Sequence, residues 1–356
     1  MGTVEAIIQI HFLPLPFSSP HVNNSFAWTP ALLNEFGIAL RTHISSFSFR
    51  DEKVYVLLSS SCLVVTQKKK KKIKWYITSE ETGLIPQPFR SYIDQMRPMA
   101  VVPALIFGFF TPLILGSGLV TAFAFALLLG FMQAGAQTIN LSSPYEAQID
   151  IENNKGYRPT PSGRIPPKIG TIVGFSYLFI ATLIGITLNF SLLPFLIVYA
   201  FLAASFTVKP FYFKRIFPAN IIVEGLAKGF FTTYLLGMIT HHNFLTLSIF
   251  MLIWATALQS TKDFGDVQGD KKYGVQTLPV MIGKQKTQVV MALISISSYI
   301  YAFFAHLPPE IFITLPYPLV TIYLVNKRYK VMENNLGWFM AYMGIPLMVI
   351  FSLFFI

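Results

Sequence analysis

From about residue 99 onward the chain alternates between long apolar runs and short polar breaks. The runs lie near 99–117, 119–139, 170–188, 191–208, 218–239, 244–260, 288–306, 310–325 and 337–356. A helix needs roughly 17–25 apolar residues to cross a hydrocarbon core of about 30 Å, and several of these runs sit at the short end of that range. The pattern predicts an all-α, polytopic membrane bundle of nine transmembrane helices.

The polar breaks predict orientation. Those after the first, third, fifth and seventh runs hold no Lys or Arg. Those after the second, fourth, sixth and eighth hold every basic residue of the bundle except Lys228. Basic loops stay on the cytoplasmic side of a membrane. The N-terminal end, with Arg90 and Arg97, is therefore expected to be cytoplasmic, in a multi-pass protein of the cell membrane. Two acidic clusters follow the second and sixth runs. Four runs separate them, an even number, so the bundle reads as two pseudo-repeated halves in parallel orientation.

Residues 1–88 follow another pattern. They hold Ser-rich and Pro-containing stretches, an apolar run at 54–66 that is too short to span, and the lysines 68–72 and 74. They are expected to form an atypical, poorly ordered N-terminal extension with no catalytic role, and residues 89–356 the functional domain.

Composition agrees with the membrane reading. Only 12% of the 356 residues are charged, against about 25% in a soluble domain. The net charge of +11 is distributed among the loops, which points to a lipid surface and phosphate chemistry rather than nucleic acid. Cys62 is the sole cysteine, so no intrachain disulfide is possible.

The acidic clusters carry the candidate chemistry. The second contains Asp263, Asp266 and Asp270 at spacings of three and four, followed by Lys271 and Lys272. On a helix those aspartates share a face. Crowded carboxylates repel unless a cation neutralises them, and Mg²⁺ favours one or two carboxylates plus waters and phosphate oxygens. Gly265, Gly269 and Gly274 suggest turns or close backbone approach. The first cluster places Glu146 and Asp150 four apart, with Asn140 two turns earlier. It runs into Arg158-Pro-Thr-Pro-Ser-Gly-Arg164, a stiff turn-forming segment whose arginines can grip phosphate bidentately. A third basic loop, with Lys209, Tyr212, Lys214 and Arg215, faces the same side. Glu224 and Lys228, inside the fifth run, read either as a pair lining the site or as a structural ion pair.

These residues carry a resemblance. The chain from about 89 to 356 resembles the UbiA superfamily of intramembrane prenyltransferases. The family's Asp-x-x-Asp-x-x-x-Asp motif, with its trailing Gly and Thr/Ser-Leu-Pro, matches Asp263, Asp266 and Asp270, then Gly274, Thr277, Leu278 and Pro279. The Arg-Pro-x-Pro-Ser-Gly-Arg segment at 158–164 is nearly as diagnostic. The first motif, Asn-x-x-x-Asp-x-x-x-Asp, departs. Anchored on Asp150, it finds Glu146 for its first acid and Ser142 for its Asn, and Asn140 stands two residues early. The family's Tyr-Ser ahead of the Lys-Arg loop is Phe206-Thr207 here, with Tyr212 as the nearest substitute.

The resemblance implies a Mg²⁺-dependent transfer of a prenyl group from an allylic prenyl diphosphate to a lipophilic acceptor. It implies metal ligands at Glu146, Asp150, Asp263, Asp266 and Asp270. Catalytic roles fall to Asp150, Arg158, Lys214 and Asp266. Substrate contacts fall to Asn140, Arg164, Lys209, Tyr212, Arg215 and Lys271. The form of the second motif resembles archaeal members that alkylate geranylgeranylglyceryl phosphate, and also members that prenylate aromatic quinone precursors. Membrane lipid is the expected surroundings, and no obligatory protein partner is evident. A cation-coupled transporter is the alternative of another class, but transporters hold their sites near the bilayer midplane and these acids cluster at one interface.

Overall fold

The structure, a computed structural model, describes residues 89–355 apart from 328, 332 and 333, together with four strand segments between 44 and 77. These four strands and the helices belong to separate compact units. In the first unit, β1 (Ile44–Arg50), β2 (Lys53–Leu58), β3 (Ser61–Lys68) and β4 (Lys72–Ile77) pair antiparallel in the order β1-β2-β3-β4. The short apolar run at 54–66 falls on β2 and β3. The rest of 1–88, on which the expectation of a poorly ordered extension mostly falls, lies outside the described residues.

The second unit is helical. In chain order it holds α1 (Phe89–Met96), α2 (Pro98–Ile114), α3 (Leu119–Ser142), α4 (Pro144–Glu152), α5 (Pro167–Leu188) and α6 (Leu193–Thr207). Next, α7 (Ala219–Gly225) runs through a π-helical turn, Leu226–Phe230, into α8 (Phe231–Thr240). Then come α9 (Leu245–Gln259), α10 (Val267–Lys272), α11 (Leu278–Ile282), α12 (Lys284–Phe304), α13 (Pro316–Val325) and α14 (Leu336–Leu353). A two-residue hairpin, β5 (Lys330–Val331) with β6 (Asn334–Asn335), precedes α14.

All nine apolar runs are helical over most of their length. Among the described residues, six helices are long and apolar enough to cross a membrane: α3, α5, α6 with its leading 3₁₀ turn, α7 through α8, α12 and α14. A seventh crossing is counted if α1 and α2, bent by 69°, are one broken span. The bend sits at Arg97, which has φ 54°. Pro98 follows it, and a proline both disfavours helical geometry in the residue before it and lacks the N–H needed to continue α1. The remaining runs fall short for a simple reason. At 15 residues α9 is about 22 Å long, less than the roughly 30 Å core.

The short α9 is the centre of the bundle. Its Leu247, Phe250, Met251, Trp254, Ala255 and Leu258 are all buried. By contrast α5 and α12 turn large side chains outward, including Phe175, Phe179, Val289, Leu293 and Phe303. That inside-out apolar surface suits lipid. In lipid, helices gain from close approach rather than from burying oil against oil. Gly135 and Gly174 permit such an approach: a Cβ on Gly135 would lie 2.9 Å from the Gly174 carbonyl oxygen. Gly229, in the π turn, does the same against the Met251 carbonyl, 2.2 Å from where its Cβ would stand.

Candidate active site

The first acidic cluster is placed by a break between two helices. Ser143 leaves helical geometry, and Pro144, which needs no N–H partner at the first helical turn, starts α4. Glu146 and Asp150, four apart, both fall on the buried face of α4. The turn after α4 brings Arg158 back, and its guanidinium donates to Asp150 Oδ1 at 2.6 Å. Both partners are almost fully buried. Gln95 of α1 holds this Pro-rich segment in place, donating to the hydroxyls of Ser142 (3.0 Å) and Thr160 (2.9 Å).

The second cluster differs from the single helical face expected. After Gln259 the chain tightens into a 3₁₀ segment, Ser260–Gly265, which carries Asp263. Asp266 sits at the junction and Asp270 lies on α10. The backbone N–H of Asp266 donates to the Asp263 carbonyl, and that of Asp270 to the Asp266 carbonyl. Side chains three apart eclipse in a 3₁₀ helix, and those four apart align in an α-helix. The uneven spacing of the motif therefore matches a change of helix type. Asp263 and Asp270 are buried. Of the three glycines, Gly269 makes a close approach and Gly274 has φ +69°, whereas Gly265 faces open space.

The clusters are clasped to each other. Lys155 donates to Asp266 Oδ1 at 2.5 Å. Asn153 Oδ1 accepts from the Gly269 N–H at 3.0 Å. Lys272 reaches Glu152 at 2.5 Å on the exposed rim. The third basic loop closes the other side. Lys214 pairs with Glu146, and the Tyr212 hydroxyl donates to Glu146 Oε1 at 3.2 Å. Arg215 donates to the Tyr273 carbonyl. Its guanidinium lies 5.7 Å from the Tyr145 ring centre and 5.4 Å from that of Tyr212, and Lys209 lies 5.1 Å from the Tyr145 ring centre.

The electrostatics are those of acids held out of water. Burial raises the carboxyls of Asp263 and Asp270 above the usual range, against the pull of Lys262 and Lys214 on Asp263 and of Lys214 on Asp270. Burial also works on Asp266, but the Lys155 ammonium outweighs it and holds that carboxyl low. Lys214 is buried too, yet Glu146 and then Asp270 keep it charged. The Tyr212 hydroxyl is raised by burial and by Glu146.

Asp150 Oδ2 and Asp270 Oδ1 are buried with no hydrogen-bond donor. Among the described residues no three acidic, His or Cys side chains converge on one point; Lys or Arg meets Glu146, Asp150 and Asp266 instead. Orphaned carboxylate oxygens beside suppressed aspartates form a donor set that fits a hard divalent cation.

Not every expected residue is gathered in. Arg164 is tied elsewhere, to the Tyr157 carbonyl at 2.5 Å, the Ser162 hydroxyl and Asp94. Lys271 is exposed. Asn140, near the end of α3, keeps a buried side-chain oxygen without a donor. Conversely Lys155 and Lys262 join the site without any motif signal, since a lysine in a basic loop looks like ordinary topology, and Asn153 joins it through a backbone contact that no local pattern shows. Tyr342, in the last run, gave no signal at all. Glu224 receives both Lys228 and Lys262, so it is more than an isolated helical pair.

The profile of the UbiA prenyltransferase family matches residues 100–352. The chain is 26% identical over 244 residues to the digeranylgeranylglyceryl phosphate synthase of Pyrococcus horikoshii, covering 68% of this chain and 86% of that one. It is 27% identical over 217 residues to the synthase of the same name from Sulfolobus acidocaldarius, covering 58% and 74%. The structure of a UbiA homolog from Archaeoglobus fulgidus bound to GPP and Mg²⁺ superposes with a TM-score of 0.55 at 19% identity, over 74% of this chain and 98% of that one. The match to the family extends from α2 to α14 and so includes both clasped clusters: the chain belongs to the UbiA prenyltransferase family.

Proposed function

We propose that this protein is a Mg²⁺-dependent intramembrane prenyltransferase that joins an allylic prenyl diphosphate to a glyceryl phosphate ether lipid. The observation that carries the reading is the clasp itself. Two acidic segments from distant loops meet buried Lys and Arg at one end of an apolar bundle. The acceptor class is supported by the relatives, which are named for digeranylgeranylglyceryl phosphate.

In this reading Glu146, Asp150, Asp263, Asp266 and Asp270 hold Mg²⁺, which supplies positive charge to the diphosphate oxygens. Lys214 and Arg158 are buried cations beside those carboxylates and contribute further charge where the leaving group develops it. Lys209 and Arg215, steadied against Tyr145 and Tyr212, close the diphosphate end. The bond between the allylic carbon and the diphosphate oxygen breaks with its electron pair leaving on the diphosphate. The acceptor's hydroxyl oxygen forms the new bond to that carbon, and its proton passes to the released diphosphate. The apolar bundle keeps water from the electron-poor carbon.

The alternating basic loops support nine crossings in two parallel halves, with the acidic loops and the N-terminal end on the cytoplasmic side. The test is direct. Membranes containing the protein are incubated with geranylgeranyl diphosphate, Mg²⁺ and the geranylgeranyl ether of glycerol phosphate, and the product is identified by mass. Turnover with an aromatic acid and none with the glycerol phosphate would overturn the choice of acceptor.

A further inference from the structure

One polar cluster is left unused by the mechanism above. It is centred on Glu224, buried near the end of α7. Lys228, one turn on, donates to Glu224 Oε2, to Gln259 Oε1 at 3.0 Å and to the Tyr342 hydroxyl. An ammonium has three N–H donors, so Lys228 is fully engaged. Lys262 donates to the other carboxylate oxygen, Glu224 Oε1, and its ammonium lies over the Phe206 ring, 4.9 Å from the ring centre. Glu224 therefore meets a different lysine with each oxygen. One comes from the next turn and the other from 38 positions away.

Lys262 matters because of its neighbour. It shares the 3₁₀ segment Ser260–Gly265 with Asp263, the residue that follows it. Of the charges around Asp263, that of Lys262 acts on it most strongly and that of Lys214 next. Among the described residues Glu146, Asp150 and Asp266 each pair with a Lys or Arg, whereas Asp263 pairs with none. The lysine best placed to do so is held by Glu224 instead. A lysine stem is long and flexible. An ammonium released from Glu224 would find Asp263 as the adjacent buried carboxylate, and a divalent cation would then have to displace it before binding there.

Resting on the reading that the motif carboxylates hold Mg²⁺, we infer that Glu224 is a positioning residue for the metal site: by holding Lys262 it keeps that ammonium off Asp263 and leaves the aspartate open to the cation. Lys228, itself fixed by Gln259 and Tyr342, steadies one oxygen of Glu224 and leaves the other for Lys262. Glu224 acts on the cation only through Lys262. It is not one of the ligands.

The test is Mg²⁺ binding to the purified full chain in detergent, without donor or acceptor, read by calorimetry and by the Mg²⁺-induced gain in Tm. Glu224→Gln is expected to weaken Mg²⁺ binding about tenfold, which is about 1.4 kcal/mol. Glu224→Asp keeps the charge but is too short to hold both lysines, and it should weaken binding in the same direction. In a Lys262→Gln background most of either loss should vanish, because no ammonium is left to release. Equal loss with and without Lys262→Gln overturns the inference, since it is the effect of one missing negative charge at a distance. Unchanged affinity in Glu224→Asp overturns it for the same reason. A lower metal-free Tm with unchanged Mg²⁺ affinity also overturns it and leaves a structural ion pair. If Glu224→Gln does not fold, Glu224→Asp with and without Lys262→Gln decides the matter. Each of these failures leaves Mg²⁺ binding by the wild type intact. A wild type that binds no Mg²⁺ overturns the metal reading itself, and the inference with it.

Discussion

Lys155 offers the sharpest test of how the two acidic clusters are held together. Its ammonium, 2.5 Å from Asp266 Oδ1, is 10% exposed and its partner's side chain 21% exposed. Removing one member of a buried pair costs about 3–5 kcal/mol, because a charge is left uncompensated. Asp266 is partly reached by solvent and also feels Arg158 and Lys214. The lower figure, discounted for that screening, gives about 2 kcal/mol for Lys155→Gln in the metal-free protein. At roughly 2–4 °C per kcal/mol for a chain of this size, Tm should fall by about 5 °C. Saturating Mg²⁺ should restore most of that loss, since a divalent cation neutralises the carboxylate that the lysine no longer meets. By linkage the variant also binds Mg²⁺ more tightly than the wild type, with a larger ligand-induced gain in Tm. Differential scanning fluorimetry in detergent, with EDTA or with Mg²⁺, reads both effects. Lys272→Gln, on the exposed rim of the same clasp, is the control and should move neither. An equal loss of Tm with and without Mg²⁺ would refute the reasoning.

Further outcomes are expected. Asp266→Ala should cut diphosphate release by about 10²-fold or more in detergent, where no gradient exists, as removal of charge stabilisation does elsewhere; full activity in that variant would leave the aspartates without a catalytic purpose. Lowering pH should weaken Mg²⁺ binding, because the raised carboxyls of Asp263 and Asp270 take up protons first and protons compete with the cation. For the same groups the metal-free fold is more stable protonated, so its stability falls as pH rises from the ordinary carboxylate range near 4 through their raised values. Calorimetry in two buffers of different ionisation enthalpy counts the protons released, and a count of zero contradicts this. Gly269→Ala puts a Cβ 2.6 Å from Asn153 Nδ2 and 2.9 Å from the Ile149 carbonyl, which should cost about 1–3 kcal/mol by pushing α4 from α10. Gly265→Ala, facing open space, should stay within about 0.5 kcal/mol, and similar unfolding curves for the two would contradict the close approach.

The helices were legible because lipid demands long apolar runs, and all nine runs became helix. Their ends were less so. Nothing in Ser260–Gly265 announces a 3₁₀ segment, yet the three-then-four spacing of Asp263, Asp266 and Asp270 encodes it once the helix change is known. The first cluster was readable as carboxylates four apart on α4, but not its partners. Lys155 looks like any positive-inside residue, and its pairing with Asp266 spans 111 positions that no local pattern connects. Arg164 shows the opposite failure. Its motif is sound, while its side chain is spent on its own loop and on Asp94. The anchoring of Lys228 depends on Gln259 and Tyr342, which lie far apart in sequence and look like filler in apolar runs.

The π turn at Leu226–Phe230 has a consequence for how this chain tolerates change. A π turn holds one residue more than the α-helix around it needs, and it leaves its carbonyls loosely held. Here the Thr232 hydroxyl collects two of them, those of Lys228 (2.5 Å) and Gly229 (3.2 Å). Deleting a single residue from the turn restores a regular helix, and regular helix is the more stable form. The π turn already absorbs that extra residue, so the helix halves on either side keep their phase, while Lys228, inside the turn, loses the placement that reaches Gln259 and Tyr342. A shortened chain of that kind keeps its apolar pattern and loses the contacts by which Lys228 ties Glu224, Gln259 and Tyr342 together.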